Sequence, residues 1–477
     1  MSEDKKNRQQ LACEFIHDNY VAFNRLRFDE IAQKVQIRDA AEPQCSGEGN
    51  WRYITNADIN TMVCDCSAET GANITSKEVL TVLNAGSQYI PRVHPLREYI
   101  QSLPTWLPES GDWIDFVASQ VRVRDSAQDR PKGLSERTAC CQTTMLLDRP
   151  YGAERPTNLT SEAGLTVSEA HDLTSNSSQS ERSEADALWR ICFKKWFVAM
   201  VASWMNDEVV NHQVLVLIGR QGIYKTTWLE RLIPPHLRQY CCKLANATQL
   251  TKDDRLRIAE FGLINMDELD AMTPRELNAM KSVITASDVN ERVAYGYTKE
   301  RRMRLASFCA SSNRREFLTD ITGNRRWLPF EVESIQNPFF TTLPYNLMYA
   351  QAYALMQDPS FSYWFDLDEI TQMEEHNEAF RAQDSEEQLL PILFDVPAEG
   401  RGEFMTSAQI SERLVSFGNI KKPMSVSRLG MLLGKAGYKA VTRGARTSRI
   451  RGWIVYQRDS DEIVANKKIL ATECVTV

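Results

Sequence analysis

An apolar strand runs directly into a glycine-containing turn and a helix in the middle of the chain. Residues 213–218, with the sequence QVLVLI, have the nearly continuous apolar pattern of a strand buried on both faces. The turn GRQGIYKT follows at residues 219–226, and the helical sequence TWLERLI comes next. This order predicts a phosphate-binding loop. The fold class it indicates is α/β, with a parallel sheet flanked by helices.

The turn has the groups that hold phosphates in such loops. Backbone N–H groups of the turn and of the helix start point at the phosphates. Lys225 would reach the β- and γ-phosphates of ATP, and the Thr226 hydroxyl would bind Mg²⁺. Tyr224 replaces the second glycine of the pattern G-x-x-x-x-G-K-[ST], so the turn alone is equally consistent with chance. The residues predicted to bind the nucleotide are Gly219, Gln221, Gly222, Ile223, Tyr224, Lys225, Thr226 and Thr227.

Polar residues follow two later apolar strands. Residues 261–266 are followed by Asp267 and Glu268. Residues 305–310 are followed by the sequence Ser-Ser-Asn, which closes with Asn313. Asp267 would hold Mg²⁺ through water, and Glu268 would orient the attacking water. Asn313 is placed to touch the γ-phosphate or its water. The alternative for the two acids is a strand that ends in a solvated turn.

An arginine pair precedes one more apolar segment. Arg325 and Arg326 stand in the sequence GNRRWLPF, and one of them could stabilise transition-state charge on a neighbouring subunit's nucleotide. A structural arginine pair is the alternative. Together with the turn, the acids and Asn313, this element predicts a P-loop ATPase that uses ATP and Mg²⁺.

The four segments GRQGIYKTT, LINMDELD, SFCASSN and TGNRRWLPF resemble the virulence-associated protein E family over roughly residues 185–335. That family is a group of AAA+ ATPases related to superfamily 3 helicases and to the helicase parts of phage and plasmid primases. The resemblance implies that Asp267 and Glu268 form Walker B and that Asn313 is sensor 1. The Walker A residues that it implies are Gly219, Gly222, Lys225 and Thr226. It implies an arginine finger at Arg325 or Arg326, acting in trans within a ring, and an origin in a bacterial mobile element or prophage.

A basic segment with aromatic residues lies between the acids and Asn313. The sequence ERVAYGYTKERRMR includes Lys299, Arg301 and Arg302, and its alternation predicts a hairpin. Superfamily 3 helicases have a hairpin at this place that tracks DNA in the central channel. Cations and aromatic rings together suit single-stranded DNA. A solvated hairpin or a subunit contact is equally consistent with the pattern.

The charge of the chain reverses near residue 400. The net charge is −11 over residues 358–400 and +10 over residues 401–458. Two helical segments and two strands around a basic loop follow, which is the order of a winged helix-turn-helix. The alternative is a protein-docking module that binds the acidic stretch. The cations predicted to contact DNA phosphates here are Lys435, Arg443, Arg446 and Arg449, with Lys439 and Arg451.

Two further patterns concern the location of the protein and its cysteines. No apolar run reaches the ~20 residues of a membrane span, and the start of the chain has no apolar signal segment, so we expect a soluble, cytoplasmic bacterial protein. The 11 cysteines have no C-x-x-C spacing, which favours free thiols over a zinc site.

The predicted parts are an N-terminal α+β region (1–125), a Ser/Thr-rich linker or insertion (126–187), an AAA+-like core (188–345), a helical acidic connector (346–400), a basic winged-helix domain (401–460) and a tail (461–477).

These patterns predict a DNA-dependent ATPase or helicase that acts in replication as a homo-oligomeric ring on single-stranded or forked DNA. Any primase activity would need a partner chain, because no primase site is seen. An ATP-binding switch or DNA-binding adaptor without unwinding is the alternative, and Tyr224 keeps it open. A degenerate ATPase kept for assembly is the third possibility.

Overall fold

The computed structural model describes residues 7–38, 51–84, 89–124, 184–244, 252–291, 299–318, 324–397, 402–444 and 449–463. Most of the predicted linker, residues 126–187, lies outside these ranges. The chain divides into two compact units. The first contains residues 1–124, 153–313 and 328–366, and the second contains residues 125–152, 314–327 and 367–477.

The first unit begins with a small α+β substructure. Its sheet has the order β3-β2-β1-β4, in which β1 pairs antiparallel with β2 and parallel with β4. The strands are β1 (Leu26–Asp29), β2 (Lys34–Ile37), β3 (Arg52–Tyr53) and β4 (Arg92–Val93). The helices are α1 (Arg8–Ile16), α2 (Asn56–Thr70) and α3 (Ser76–Leu83), and they share one apolar core with β1 and β2. The substructure starts its helices at capping boxes, with Thr55 before α2 and Thr75 before α3.

A buried carboxylate joins this substructure to the rest of the first unit. Asp29, at the end of β1, is fully buried. Its Oδ2 accepts hydrogen bonds from the hydroxyls of Tyr240 at 2.6 Å and Tyr53 at 3.0 Å. Its Oδ1 accepts from the backbone N–H groups of Ile31 at 2.9 Å and Ala32 at 3.1 Å. Burial raises the pKa of Tyr240 well above its usual value, so the hydroxyl remains a proton donor.

Replacing Asp29 by alanine should lower the free energy of unfolding by about 3 kcal/mol, because several buried donors would lose their acceptor at once. Asp18 is a suitable control, since its side chain is 73% exposed. Thermal unfolding of Asp29→Ala and Asp18→Ala beside the parent chain would measure the difference. Equal, small losses in both variants would show that the buried network adds no stability.

A six-stranded sheet with the order β5-β12-β6-β11-β8-β7 lies at the centre of the first unit. Its members are β5 (Val121–Val123), β6 (Val214–Ile218), β7 (Cys241–Leu244), β8 (Leu263–Met266), β11 (Ser307–Ser312) and β12 (Trp327–Ile335). Strands β6, β11, β8 and β7 run parallel, and β5 is antiparallel to β12. All five residues of β6 are buried, as the apolar run predicts. A mixed α/β fold with a largely parallel sheet is therefore confirmed.

Helices pack on this sheet, and the longest of them is buried without interruption over residues 196–204. Helix α6 (Glu184–Met205) carries three buried tryptophans whose indole N–H groups donate to backbone carbonyls. Trp189 donates to Ala118, while Trp196 and Trp204 donate to carbonyls of the sheet region. This helix is therefore a core element of the first unit. The helices are α4 (Pro95–Ser102), α5 (Trp113–Ala118), α6 (Glu184–Met205), α7 (Lys225–Arg231), α8 (Lys252–Glu260), α9 (Pro274–Thr285) and α10 (Tyr345–Gln357).

The second unit combines four helices and a small sheet among its described residues. Strand β16 pairs antiparallel with β13, β14 and β15. The strands are β13 (Phe394–Asp395), β14 (Glu403–Met405), β15 (Lys439–Arg443) and β16 (Ile450–Gln457). The helices are α11 (Leu367–Asn377), α12 (Ser385–Leu393), α13 (Ser407–Gly418) and α14 (Val426–Lys435).

The charge reversal at residue 400 falls inside one core of this unit. Leu390 and Leu393 of the acidic connector pack with Ile410, Leu414 and Leu429 of the basic segment. Ion pairs join the two charge blocks: Lys435–Glu378 at 2.5 Å, Arg428–Asp384 at 2.6 Å and Arg458–Asp395 at 3.0 Å. The reversal therefore marks complementary surfaces that pack together within the second unit, in addition to any separate role of the basic segment.

Candidate functional site

The glycine turn lies where the strand order of the main sheet reverses. After β6 the chain crosses to β7 at one edge and returns through β8 and β11, while β12 lies on the other side of β6. Ligands of open α/β sheets bind outside the carboxyl ends of the strands at such a point. The turn comes directly after the last residue of β6, Ile218, and so occupies this position.

Two glycines allow the turn to close tightly. A Cβ on Gly219 would lie 2.8 Å from the backbone oxygen of Val332 and 3.0 Å from Cδ1 of Ile223, so a larger residue does not fit. Gly222 has φ +87°, which favours glycine. Among the other predicted turn residues, Gln221 is exposed and Thr227 is half-buried.

Tyr224, which stands where the motif has its second glycine, has a left-handed backbone conformation. Its φ is 70° and its ψ is 16°, in the left-handed region that costs a non-glycine residue about 1–2 kcal/mol. Its ring contacts Phe339 edge-to-face, with 6.2 Å between ring centroids. The aromatic contact with Phe339 offsets part of this strain.

Lys225 is the buried centre of the turn. Only 6% of the residue is exposed, and its Nζ donates to the carbonyls of Gly219 at 2.7 Å and Arg220 at 2.8 Å. The same Nζ donates to Oδ1 of Asn313 at 3.1 Å. Burial lowers the pKa of Lys225, although the charges of Asp267 and Asp270 oppose this shift. Two residues that sequence reasoning assigned to the γ-phosphate are therefore in direct contact.

Asp267 gathers donors from three elements. Its Oδ1 accepts a hydrogen bond from the hydroxyl of Thr226 at 2.8 Å and another from the hydroxyl of Ser311. Its Oδ2 lies 2.6 Å from Nζ of Lys243. Burial alone would raise the pKa of Asp267, but the hydrogen bonds from Lys243, Ser311 and Thr226 outweigh it and hold the pKa below its usual value. Asp267 is therefore a carboxylate at neutral pH.

The acidic turn after β8 contributes two more carboxylates. Glu268 is exposed and has a left-handed backbone, with φ 56°. Asp270 accepts a hydrogen bond from the backbone N–H of Asn313 at 3.2 Å. Sequence reasoning missed Asp270 and Lys243 as members of this site. The third acid of the segment LINMDELD was a signal for Asp270, whereas Lys243 lies in a segment with no motif.

The predicted arginine finger belongs to the second unit. Arg325 is exposed and Arg326 is half-buried, and both lie in a short 3₁₀ turn (Asn324–Arg326) before β12. The side chain of Asn377 fixes this turn by donating to the carbonyl of Asn324 at 2.9 Å. Lys225 and Asp267, by contrast, belong to the first unit.

The structure describes the two paired strands of the hairpin that was predicted to track DNA. Strands β9 (Asp288–Glu291) and β10 (Glu300–Met303) pair antiparallel, and residues 292–298 between them lie outside the described residues. Lys299 is exposed, and Arg301 pairs with Asp288 at 2.7 Å. Arg302 pairs with Glu260 at 2.8 Å, so it supports the fold of the first unit as well.

A buried arginine limits the basic character of that segment. Arg304 is 2% exposed and donates to the carbonyls of Asn211 and Ala306, each at 2.8 Å. Burial lowers its pKa to about 9. Arg304 therefore contributes to the core, although it lies close to Arg301 and Arg302 in the sequence.

The cations predicted for the C-terminal module have different surroundings. Lys435 is held by Glu378. Arg443 is exposed and lies over the ring of Phe404, 4.7 Å from its centroid, and Arg449 is also exposed. Arg446 lies outside the described residues.

Two further expectations can be compared with the described residues. Within those ranges, no group of three or more His, Cys, Asp or Glu side chains is arranged to hold a metal ion, and the described cysteines are free thiols. No described helix has both the length and the apolar character that crossing a bilayer requires.

Comparisons with known proteins give a family match and distant structural likenesses. The apo structure of the NrS-1 C terminal region (305-718) is 11% identical in sequence to this chain, with a TM-score of 0.40. The match covers 95% of this chain and 100% of that one. The A form apo structure of the same region is 12% identical, with a TM-score of 0.39, and the match covers 94% of this chain and 100% of that one. No curated protein matches the chain. The resemblance seen in the sequence motifs is confirmed, because the model of the Virulence-associated protein E-like domain matches this chain over residues 165–382.

Proposed function

We propose that this chain is an AAA+-like P-loop ATPase that couples ATP hydrolysis to work on DNA, in the replication of a bacterial mobile element or prophage. The observation that carries the proposal is the convergence of Lys225, Thr226, Asp267 and Asn313 at the carboxyl end of β6. The match to the virulence-associated protein E-like domain supports a role in replication.

The donor set suits a magnesium nucleotide. The hydroxyl of Thr226 and the carboxylate of Asp267 are hard oxygen groups, which Mg²⁺ prefers, and they lie 2.8 Å apart. Thr226 would hold Mg²⁺ directly and Asp267 would hold it through water. When bound, Mg²⁺ would neutralise charge on the β- and γ-phosphates of ATP.

The residues of the chain then have separate tasks in hydrolysis. Lys225 would leave its carbonyl partners and place its charge on the γ-phosphate, where charge develops in the transition state. Glu268, which is exposed, would orient the attacking water and accept its proton. Asn313 would hold that water or a γ-phosphate oxygen. Arg325 or Arg326 would act on the nucleotide of a neighbouring copy, which requires a homo-oligomeric ring.

The direct test is ATP hydrolysis by the purified chain, with and without single-stranded DNA. We expect Mg²⁺-dependent phosphate release that increases when DNA is added. A folded chain that binds ATP but releases no phosphate under either condition would contradict the ATPase proposal.

The C-terminal module is proposed to be a winged helix-turn-helix that binds DNA through its β15–β16 hairpin. Arg443, Arg449 and Arg451 of this hairpin are exposed and make no ion pair with any residue that the structure describes. By contrast, Arg428 and Lys435 of α14 are neutralised by Asp384 and Glu378. Free cations release counterions when they meet phosphates, so the hairpin should supply most of the electrostatic affinity.

Changing Arg443, Arg449 and Arg451 together to alanine should weaken binding to single-stranded DNA and reduce the slope of log K against log salt by about 2. The matched control is the Arg428→Ala and Lys435→Ala double variant, whose cations are already paired. Fluorescence anisotropy at several salt concentrations measures both. A control that loses as much slope as the hairpin variant would place the DNA surface on α14 instead.

A second candidate, an ATP-binding switch without turnover, is favoured by the backbone strain at Tyr224 and by the satisfied hydrogen bonds of Lys225. In that case ATP would change DNA binding, and hydrolysis would be absent. The variant of Glu268 described below separates the two functions.

A further inference from the structure

A second lysine lies in the proposed nucleotide site. Lys243 is in β7, and β7 pairs in parallel with β8 so that Lys243 is opposite Asn265. Side chains two residues apart in an extended segment point to the same face, so Lys243 and Asp267 meet on one face of the sheet. Nζ of Lys243 lies 2.6 Å from Oδ2 of Asp267. The side chain of Lys243 is 48% exposed and that of Asp267 is 17% exposed.

The carboxylate of Asp267 is nearly saturated by this contact. A carboxylate has about four lone-pair positions. Two hydroxyl donors, Thr226 and Ser311, use Oδ1, and Lys243 uses Oδ2. Water bound to Mg²⁺ would need to donate to the same carboxylate. An ammonium so close to this carboxylate would also repel a divalent cation beside it.

We propose that Lys243 is a positioning residue that holds Asp267 in the free chain and competes with Mg²⁺ for its carboxylate. The inference rests on the proposed function, because it assumes that Mg²⁺ and ATP bind at Thr226 and Asp267. The half-exposed lysine side chain is flexible and strongly hydrated, so it can leave into solvent at little cost when the divalent cation arrives. The hydroxyl of Ser311 would remain to hold the carboxylate in place.

Lys225 does not hold Asp267 in this way. Its Nζ is bound to Gly219, Arg220 and Asn313, and its hydrogen bonds do not include Asp267. Lys243 instead receives its main stabilisation from Asp267, since the hydrogen bond between them raises the pKa of Lys243. The two lysines therefore have separate roles. Lys225 holds the turn, and Lys243 holds the carboxylate of Asp267.

The test is a titration of Mg²⁺ at a fixed concentration of a fluorescent ATP analogue, with binding as the readout. Lys243→Met and Lys243→Gln both remove the competing charge. We expect each to lower the Mg²⁺ concentration for half-maximal binding by about two- to fivefold, the size expected for a half-exposed ion pair. Lys243→Arg keeps the charge and should stay near the parent value. Lys77→Met, at an exposed lysine of α3, is the matched control.

The outcomes separate this inference from the proposed function. An unchanged or higher Mg²⁺ requirement in both neutral variants, with unfolding temperatures like that of the parent, would show that Lys243 is only a structural partner of Asp267. Equal shifts in Lys243→Arg and Lys243→Met would also overturn competition by charge. If the parent chain binds no analogue at any Mg²⁺ concentration, the proposed nucleotide site fails and the inference fails with it.

Discussion

Replacing Lys225 by alanine should lower ATP turnover by at least about a hundredfold, which is the usual loss when one charge-stabilising donor is removed from a reacting group. The physical reason is specific to this site. Nζ of Lys225 joins the turn, through Gly219 and Arg220, to Asn313. Alanine would remove both the charge and the link between the two segments. Phosphate release at saturating ATP measures the effect.

A surface lysine provides the comparison for this variant. Lys422 is exposed in the segment before α14, and Lys422→Ala should keep the turnover of the parent chain. Turnover of Lys225→Ala within threefold of the parent would mean that Lys225 only fills the turn, and it would contradict the proposed role. Circular dichroism of both variants shows whether the fold is retained.

Replacing Glu268 by glutamine should separate ATP binding from hydrolysis. We expect turnover to fall by about 10²- to 10⁴-fold, because an amide cannot accept the proton of the attacking water. ATP affinity should stay within about twofold of the parent value, since Glu268 is exposed and its side chain makes no hydrogen bond within the described part of the chain. Radiolabelled ATP binding and phosphate release are measured on the same preparation.

The same variant distinguishes an enzyme from a switch. An ATPase should lose its turnover, while a switch should keep its ATP-dependent DNA binding in Glu268→Gln. Glu109→Gln, which changes an exposed glutamate in a short 3₁₀ turn, controls for the general effect of losing a charge. Parent-like turnover in Glu268→Gln would remove Glu268 from the mechanism.

Local signals in the sequence predicted the elements that carry the site. Thr273 and Thr406 form capping boxes at the starts of α9 and α13, and Ser425 caps α14, in positions that threonine and serine favour. The apolar run before Gly219 is β6, and α7 begins at Lys225. These features depend on neighbours only a few residues away, so the sequence was sufficient to place them.

Contacts between distant segments could not be predicted in the same way. The pairing of Lys243 with Asp267 depends on the register between β7 and β8, which no local pattern sets. The hydrogen bond from Tyr240 to Asp29 joins residues that are 211 positions apart. Arg304 ends a basic stretch of sequence, yet it is buried, because the packing of the core around it decides its surroundings. Strand register and core packing depend on the folding of the whole first unit.

The edge strand of the main sheet determines how this protein can be shortened. Strand β5 covers β12, with Val123 opposite Val332 and Val121 opposite Ile335. It comes from a part of the chain that precedes the matched region, residues 165–382. A fragment trimmed to that region would expose the N–H and C=O groups of β12 along one side, and bare strand edges pair with other chains. Aggregation of such a fragment would therefore reflect a missing edge strand rather than an inability of the α/β core to fold.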